Sequence, residues 1–332
     1  MSFPDLSAGG NPDYFHIQIS TPFAVGDVNV YLIRDEKNVL IDCGPKTKIA
    51  HQTLVNQLGE AGLKPGDIDE IWLTHGHPDH SGLAAMLRDR HGIRLLAHRG
   101  ERGNFAKNSD RQLFGDFFKE AGVPGYLIHE MDMQRKWYEV YFDAMEMDGW
   151  IDDGDELSTG RHHFTAHHLP GHSPGHLGFT DENGHMFSGD VLLQRISTNA
   201  IISFDPDTGE RLNTLRQLRQ SMRTMASVTG MVFPGHGQPF DRAAETVQHH
   251  LESHEKRYLK ILELLSRGPG SLFETAKKLF PEIERPELTF LCMSEVAGFV
   301  DRAIIEGFAQ TEIINGHRVI IGNVPLSDIA CR

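Results

Sequence analysis

Cysteine is scarce in this chain: its 332 residues contain three, Cys43, Cys292 and Cys331, widely separated and odd in number. Such a set is a poor disulfide framework. Cys43 is expected to pack beside the functional site described below. Long apolar runs are missing too, since no stretch nears the ~20 residues needed to span a bilayer. Before Arg34, the first basic residue, the chain is punctuated by Asp5, Asp13 and Asp27, unlike a basic and apolar secretory leader. A cytoplasmic protein with no membrane partner is therefore expected. Positive charge is also in deficit, with 32 Lys and Arg against 46 Asp and Glu and a formal net charge of -14. That balance disfavours a nucleic-acid polyanion as a generic partner.

What is present suits a folded enzyme. A hydrophobic fraction of 39% and a charged fraction of 23% are ordinary for a globular chain. The length allows one large core with a smaller attached unit. Residues 15–19 alternate in strand fashion, and 28–33 and 39–41 read as two more strands leading to Asp42. A helix is predicted from Thr53 to Glu60, then a strand over 68–73 that runs into Thr74-His75-Gly76-His77-Pro78-Asp79-His80. After a short strand at 94–97 the pattern changes. Residues 101–149 hold many Phe, Tyr, Trp and Met at mixed helical spacing, predicting two or more helices that pack over the core and can wall a substrate pocket. Trp150 to Leu157 resembles a hairpin turn between strands. Further strands over 164–169, 177–180, 185–187 and 230–233 lead to Pro170-Gly171-His172, Ser188-Gly189-Asp190 and Pro234-Gly235-His236, and a helix is predicted from Glu210 to Met225. Alternating strands and helices make an α/β protein.

Beyond Phe240 the organisation changes. Helices are predicted over 243–265, from a Ser271 cap to Leu279, and over 288–307, followed by a hairpin about Asn315-Gly316. Three helices and a hairpin suggest a small winged-helix-like unit. The expected division is therefore 1–240, containing the 101–149 insertion, and 241–332.

The chemistry lies in the histidines. His75-x-His77-x-Asp79-His80 is dense in imidazole and carboxylate donors, the ligands of first-row transition metals. No cysteine lies near it, so iron–sulfur chemistry is not indicated. His172, Asp190 and His236 each follow a glycine just after a predicted strand, where a small residue permits the tight turn that aims a ligand inward. Together these seven side chains can complete two adjacent metal shells, with Asp190 as the bridge. Two divalent ions are expected, zinc first and iron or manganese as alternatives. Asp79 is the candidate for orienting a water or moving its proton, Asp42 for holding a ligand histidine in its tautomer, and His176 for a catalytic or supporting contribution.

This ordered set resembles the metallo-beta-lactamase fold superfamily over roughly residues 15–239, nearer to its glyoxalase II-like and beta-lactamase-like 2 branches than to the secreted antibiotic-degrading enzymes. The resemblance implies a four-layer αβ/βα sandwich with a small C-terminal winged-helix-like domain. It implies one metal on His75, His77 and His172, a second on Asp79, His80 and His236, Asp190 between them, and Asp42 in support. The activity implied is hydrolysis by a metal-activated hydroxide. A small-molecule thioester, lactone or related acyl substrate is the leading reading. Phosphodiester or ribonucleic-acid cleavage of the beta-lactamase-like 2 type is the alternative, although acidic residues crowd the last helix. The C-terminal unit is expected to mediate a homodimer or brace the site. A flavodiiron-like redox enzyme lacks its flavin partner here, and a DNA-binding scaffold with a decayed metal domain conflicts with the complete ligand set.

Overall fold

A computed structural model describes residues 13–107, 110–314 and 316–323; Cys331 and the Asn315 of the predicted turn lie outside the described residues. Two sheets face each other. The first has the order β1-β2-β3-β4-β5-β6, formed by Tyr14–Ile19, Val28–Ile33, Val39–Ile41, Glu70–Trp72, Arg94–Ala97 and Gly149–Trp150. The second has the order β11-β10-β9-β8-β7, from Val232–Pro234, Met186–Gly189, Leu177–Asp181, His163–His168 and Glu156–Ser158.

Side-chain alternation explains why the strands of the first sheet read as continuous apolar runs. Val28, Val30 and Leu32 of β2 point to one cluster, with Leu54 and Leu58 of α1 (Lys48–Glu60) and Leu87 of α3 (Ala84–His91). Tyr31 and Ile33 point the other way, where they meet Phe164, Phe179, Phe187 and Phe233 of the second sheet. Both faces of this mixed sheet are therefore covered, as its parallel β3-β4-β5-β6 half requires. The outer face of the second sheet is covered by α6 (Thr214–Met225), whose Ser221 Oγ donates to Pro170 O just beyond β8, while α4 (Arg111–Glu120) and α5 (Gly125–Tyr138) pack on the C-terminal helices and hairpin. The result is the expected four-layer sandwich of helix, sheet, sheet and helix.

Several boundaries differ from the sequence reading. Trp150 to Leu157 is a crossover and not a hairpin: Ile151 N–H still bonds to Ala97 O on the first sheet, whereas Gly154 N–H bonds to Ala166 O on the second. The turn chemistry of Asp152 to Asp155 is the same for both uses. Helix α1 begins five residues before Thr53, because Thr47 Oγ1 accepts from Ala50 N at 3.0 Å. Helix α6 begins after Asn213, whose side chain caps Arg216 N, and the preceding residues form a small bridge between Phe204 and Arg211.

The chain continues through α7 (Ala243–Ser266), β12 (Gly270–Ser271), α8 (Leu272–Leu279), α9 (Pro286–Ile305), β13 (Ala309–Ile314) and β14 (His317–Gly322). Ser271 caps α8 with a full capping box, and β12, β14 and β13 form a three-stranded sheet. Tyr258, Ile261 and Phe299 from these helices share one apolar cluster with Leu215 and Leu218 of α6. No helix among the described residues is long and apolar enough to cross a membrane.

Candidate metal centre

Five segments leave the C-terminal ends of β3, β4, β8, β10 and β11 and converge at one edge of the two sheets, where folds of this class place their sites. Asp42 follows β3, and Thr74 and His75 follow β4. His77 caps the four-residue helix α2 (Pro78–Ser81), which itself holds Asp79 and His80. His172, Asp190 and His236 arrive from the second sheet. The two glycines before His172 and His236 are sterically required. A Cβ on Gly171 would lie 2.2 Å from Leu218 N, and one on Gly235 would lie 2.2 Å from Asp190 Oδ1.

All seven predicted ligands come together. His77 Nδ1 lies 3.0 Å from His75 Nε2 and 3.1 Å from His172 Nε2. The opposite nitrogens of the outer pair are engaged elsewhere: His75 Nδ1 with Thr74 Oγ1 at 3.0 Å and His172 Nδ1 with the Asn199 carbonyl at 3.1 Å. Their inward nitrogens are therefore bare lone pairs, and converging lone pairs are what a cation needs. Beside them, His80 Nε2 lies 3.4 Å from Asp190 Oδ1 and 4.0 Å from Asp79 Oδ2. His236 Nε2 lies 3.4 Å from Asp79 Oδ2 and 3.5 Å from Asp190 Oδ2. The donor atoms form three groups within 4.8 Å, namely His75/His77/His172, His75/His80/Asp190 and Asp79/His80/His236. His80 Nε2, His236 Nε2 and Asp190 Oδ1 are buried with no hydrogen-bond partner, so the donor set fits metal ions.

Each inward atom is aimed by a bond on the far side of its ring. His80 Nδ1–H donates to Asp42 Oδ2 at 2.7 Å, and His236 Nδ1–H donates to the Asp27 carbonyl at 2.7 Å. Asp42 also accepts from Thr74 N and Thr74 Oγ1, each at 2.8 Å, so through Thr74 it steadies His75 as well. Its backbone sits in the left-handed region at φ 61°, the one such non-glycine residue among those described. The strain persists because these bonds over-determine it. Cys43 is buried behind the site, its N–H bonded to His80 O.

The electrostatics divide the cluster. Burial and neighbouring imidazoles push His75 well below its ordinary pKa and His77 down to about 3. Burial also opposes charge on His80 and His236, but the carboxylates prevail: Asp190, Asp42 and Asp79 raise His80 strongly, and Asp190 and Asp79 raise His236 to about 10. Burial would lift the Asp190 carboxyl, yet those two imidazoles hold it well below the usual range.

His176 is fully buried, stacked on His75 with ring centroids 4.9 Å apart, and its Nε2 accepts from Asp190 N at 3.1 Å. Sequence reasoning missed Glu101. This buried carboxylate accepts from Gly76 N at 2.8 Å, Gly175 N at 2.6 Å and Asn104 Nδ2 at 2.7 Å, tying the His75–His77 turn to the His172–His176 loop. Its neighbourhood, between a strand and a helix-rich insertion, carries no motif. Thr74 was missed likewise, though its place directly before His75 was a usable signal. Clefts lined by residues such as Pro170 and Arg216, or Arg219 and Arg302, run along α6 and are not lined by any of the seven ligand candidates.

Residues 24–236 match the family model described as the Metallo-beta-lactamase superfamily. The chain belongs to that superfamily. It is 31% identical over 296 residues to the probable metallo-hydrolase YqjP of Bacillus subtilis, covering 87% of this chain and 91% of that protein. It is 29% identical over 162 residues to the hydroxyacylglutathione hydrolase GloC of Haemophilus influenzae, covering 48% of this chain and 64% of that protein. Among solved structures, the metallo-beta-lactamase family protein TTHA1429 from Thermus thermophilus shares the fold with a TM-score of 0.80 at 24% identity, over 94% of this chain and 99% of that one. The chain is thus a metallo-hydrolase of the metallo-beta-lactamase superfamily with His/Asp clusters suited to metal.

Proposed function

We propose that this metallo-hydrolase holds two divalent ions and cleaves a small-molecule acyl substrate, a thioester, lactone or related ester. The observation that carries the reading is the convergence of buried imidazole nitrogens and carboxylate oxygens, several without a hydrogen-bond partner, into adjoining groups that share Asp190 and His80. His75, His77 and His172 would hold one ion, Asp79, His80 and His236 the other, with Asp190 between them. Zinc suits this mixed imidazole and carboxylate set, with iron or manganese as alternatives. Bound ions would supply Lewis acidity toward the substrate carbonyl and lower the pKa of a water toward ~7.

The chain's own groups then position and move protons. Asp79, buried beside His236, orients the attacking water and accepts its proton. Asp42 accepts from His80 Nδ1–H and, through Thr74, orders His75, so that the Nε2 atom of each ring faces the cluster. We assign His176 a positioning part, since its Nε2 braces the backbone of Asp190. The relative named as a hydroxyacylglutathione hydrolase supports the acyl reading.

We further propose that residues 1–240, with the 101–149 insertion, form the catalytic unit and 241–332 a winged-helix-like unit that braces it. The order α7, β12, α8, α9, β13, β14 supports that assignment. Nucleic acid is not favoured as its partner, because Arg257 and Arg302 are paired with Glu295 and Glu306. The test is a panel of thioesters, lactones and model phosphodiesters against protein of measured metal content. Acyl turnover that is abolished by a chelator and restored by zinc, at two ions per chain, is the expected result. Phosphodiester cleavage without acyl turnover would reverse the choice.

A further inference from the structure

Large apolar side chains left in water are informative when they cluster on the segments that carry a site. Trp137 is 44% and Tyr138 36% exposed at the end of α5, Ile196 is 44% exposed shortly after Asp190, and Leu291 is 42% exposed on α9. They belong to two groups of segments that contact ligand-bearing backbone, one through His236 and the residues about α2, the other through His172.

In the first group, Phe23 joins Trp137, Tyr138 and Tyr141. The Phe23 and Tyr138 rings stack at 5.2 Å, and the Trp137 and Tyr141 rings meet at 4.8 Å. This cluster is anchored to ligand-bearing backbone from two directions. Phe23 sits on the same loop as Asp27, whose carbonyl holds His236 Nδ1. Tyr141 O accepts from Lys46 N, and a Cβ on Gly82, directly after α2, would lie 2.3 Å from that oxygen. Burial, with the carboxylates of Asp79 and Glu287 adding to it, pushes the Tyr138 phenol pKa up.

In the second group, Leu291 is bonded to Asn199, which lies three residues after Ile196. The Asn199 carbonyl accepts from His172 Nδ1, and its side-chain amide donates to Leu291 O at 3.0 Å. Helix α5, which carries Trp137 and Tyr138, packs directly on α9, which carries Leu291, so the two groups are neighbours in space.

We propose that Phe23, Trp137 and Tyr138 on one side and Ile196 and Leu291 on the other form the acyl-binding walls of this enzyme, selecting substrates with a large apolar acyl group. The inference rests on the acyl reading and narrows it. Small acyl groups reach the metals but leave the walls wet, whereas an extended chain or aryl ring dries them. Apolar walls beside a few convergent polar groups are the usual make-up of a small-molecule site.

The test measures binding of the product class, so it does not depend on turnover. Acetate, octanoate and phenylbutyrate are titrated into metal-loaded protein, followed by calorimetry and by tryptophan fluorescence. Octanoate and phenylbutyrate are expected to bind at least about tenfold more tightly than acetate, which burial of about two extra methylenes suffices to give. Trp137→Ala and Leu291→Ala should each shrink that ratio severalfold. Trp150→Ala, at an exposed tryptophan on β6 outside these walls, should leave it intact. Equal affinities alongside measurable acyl turnover, or a ratio untouched by both wall variants, would overturn the walls and leave the acyl reading standing. No affinity for any carboxylate, together with phosphodiester cleavage, would overturn both.

Discussion

Replacing Glu101 with Gln is the most informative single change, because it keeps shape and removes one acceptor. The native carboxylate accepts from Gly175 N through one oxygen and from Gly76 N and Asn104 Nδ2 through the other. An amide offers one oxygen, so whichever way it turns, an NH2 group meets an N–H. One charge-assisted bond is lost and one buried donor is stranded, costing about 2–4 kcal/mol. The two loops so separated carry His75 and His77 on one side and His172 on the other. The cost therefore falls on holding that imidazole trio, and the expected loss of metal affinity is about 10–100-fold, the usual scale for groups that orient ligands. Competition with a chromophoric chelator measures it, and the cobalt-substituted spectrum reports whether the imidazole-rich site is the one disturbed. Wild-type metal affinity with an unchanged spectrum in Glu101→Gln would refute the reasoning, whatever happened to the melting temperature.

Asp42→Asn should fold, since Asn tolerates the left-handed backbone at φ 61°, yet bind metal about 10–100-fold more weakly because the ionised acceptor for His80 Nδ1–H is gone; elemental analysis after dialysis checks it. Gly171→Ala places a Cβ 2.2 Å from Leu218 N at a backbone φ of 129°, so a stability loss of about 3 kcal/mol or more is expected in chemical denaturation. His162 supplies a pH signature away from the metals. Burial opposes its protonation, but hydrogen bonds with Glu182 and Asp13 prevail and raise its pKa. A raised folded value stabilises fully below the unfolded pKa of about 6.5 and fades as pH climbs through the folded one. The melting temperatures of wild type and His162→Gln should therefore differ most on the acid side and converge in alkali; a gap that widens with pH would contradict the assignment.

Much of this molecule was legible locally. The strands at 28–33 and 39–41, the β9–β10 hairpin and the Ser271 cap of α8 follow from alternation, turn residues and capping chemistry, which act within a few residues. Where local signals serve two purposes, the reading failed. The Asp- and Gly-rich turn before Leu157 reads alike as a hairpin or as a crossover, and only the partner of Gly154, Ala166 on the opposite sheet, distinguishes them. The starts of α1 and α6 depended on caps at Thr47 and Asn213 that few neighbouring apolar positions announced.

By itself, the order of residues determined the donor chemistry: imidazoles and carboxylates placed after strands, with glycine where backbone must turn beneath a ligand. It also determined the layers, because the period of apolar residues dictates which face of a strand is buried. Only the tertiary structure decided which atom of each ring faces the cluster, since that depends on the partner at the opposite nitrogen, and Asp27, Asn199 and Thr74 supply those partners from other segments or from the neighbouring position. It alone revealed Glu101, an isolated acid in the sequence whose two oxygens lie between backbone N–H groups 99 residues apart, at Gly76 and Gly175. Hydrogen-bond direction and burial are properties of space, and spacing along a chain does not encode them.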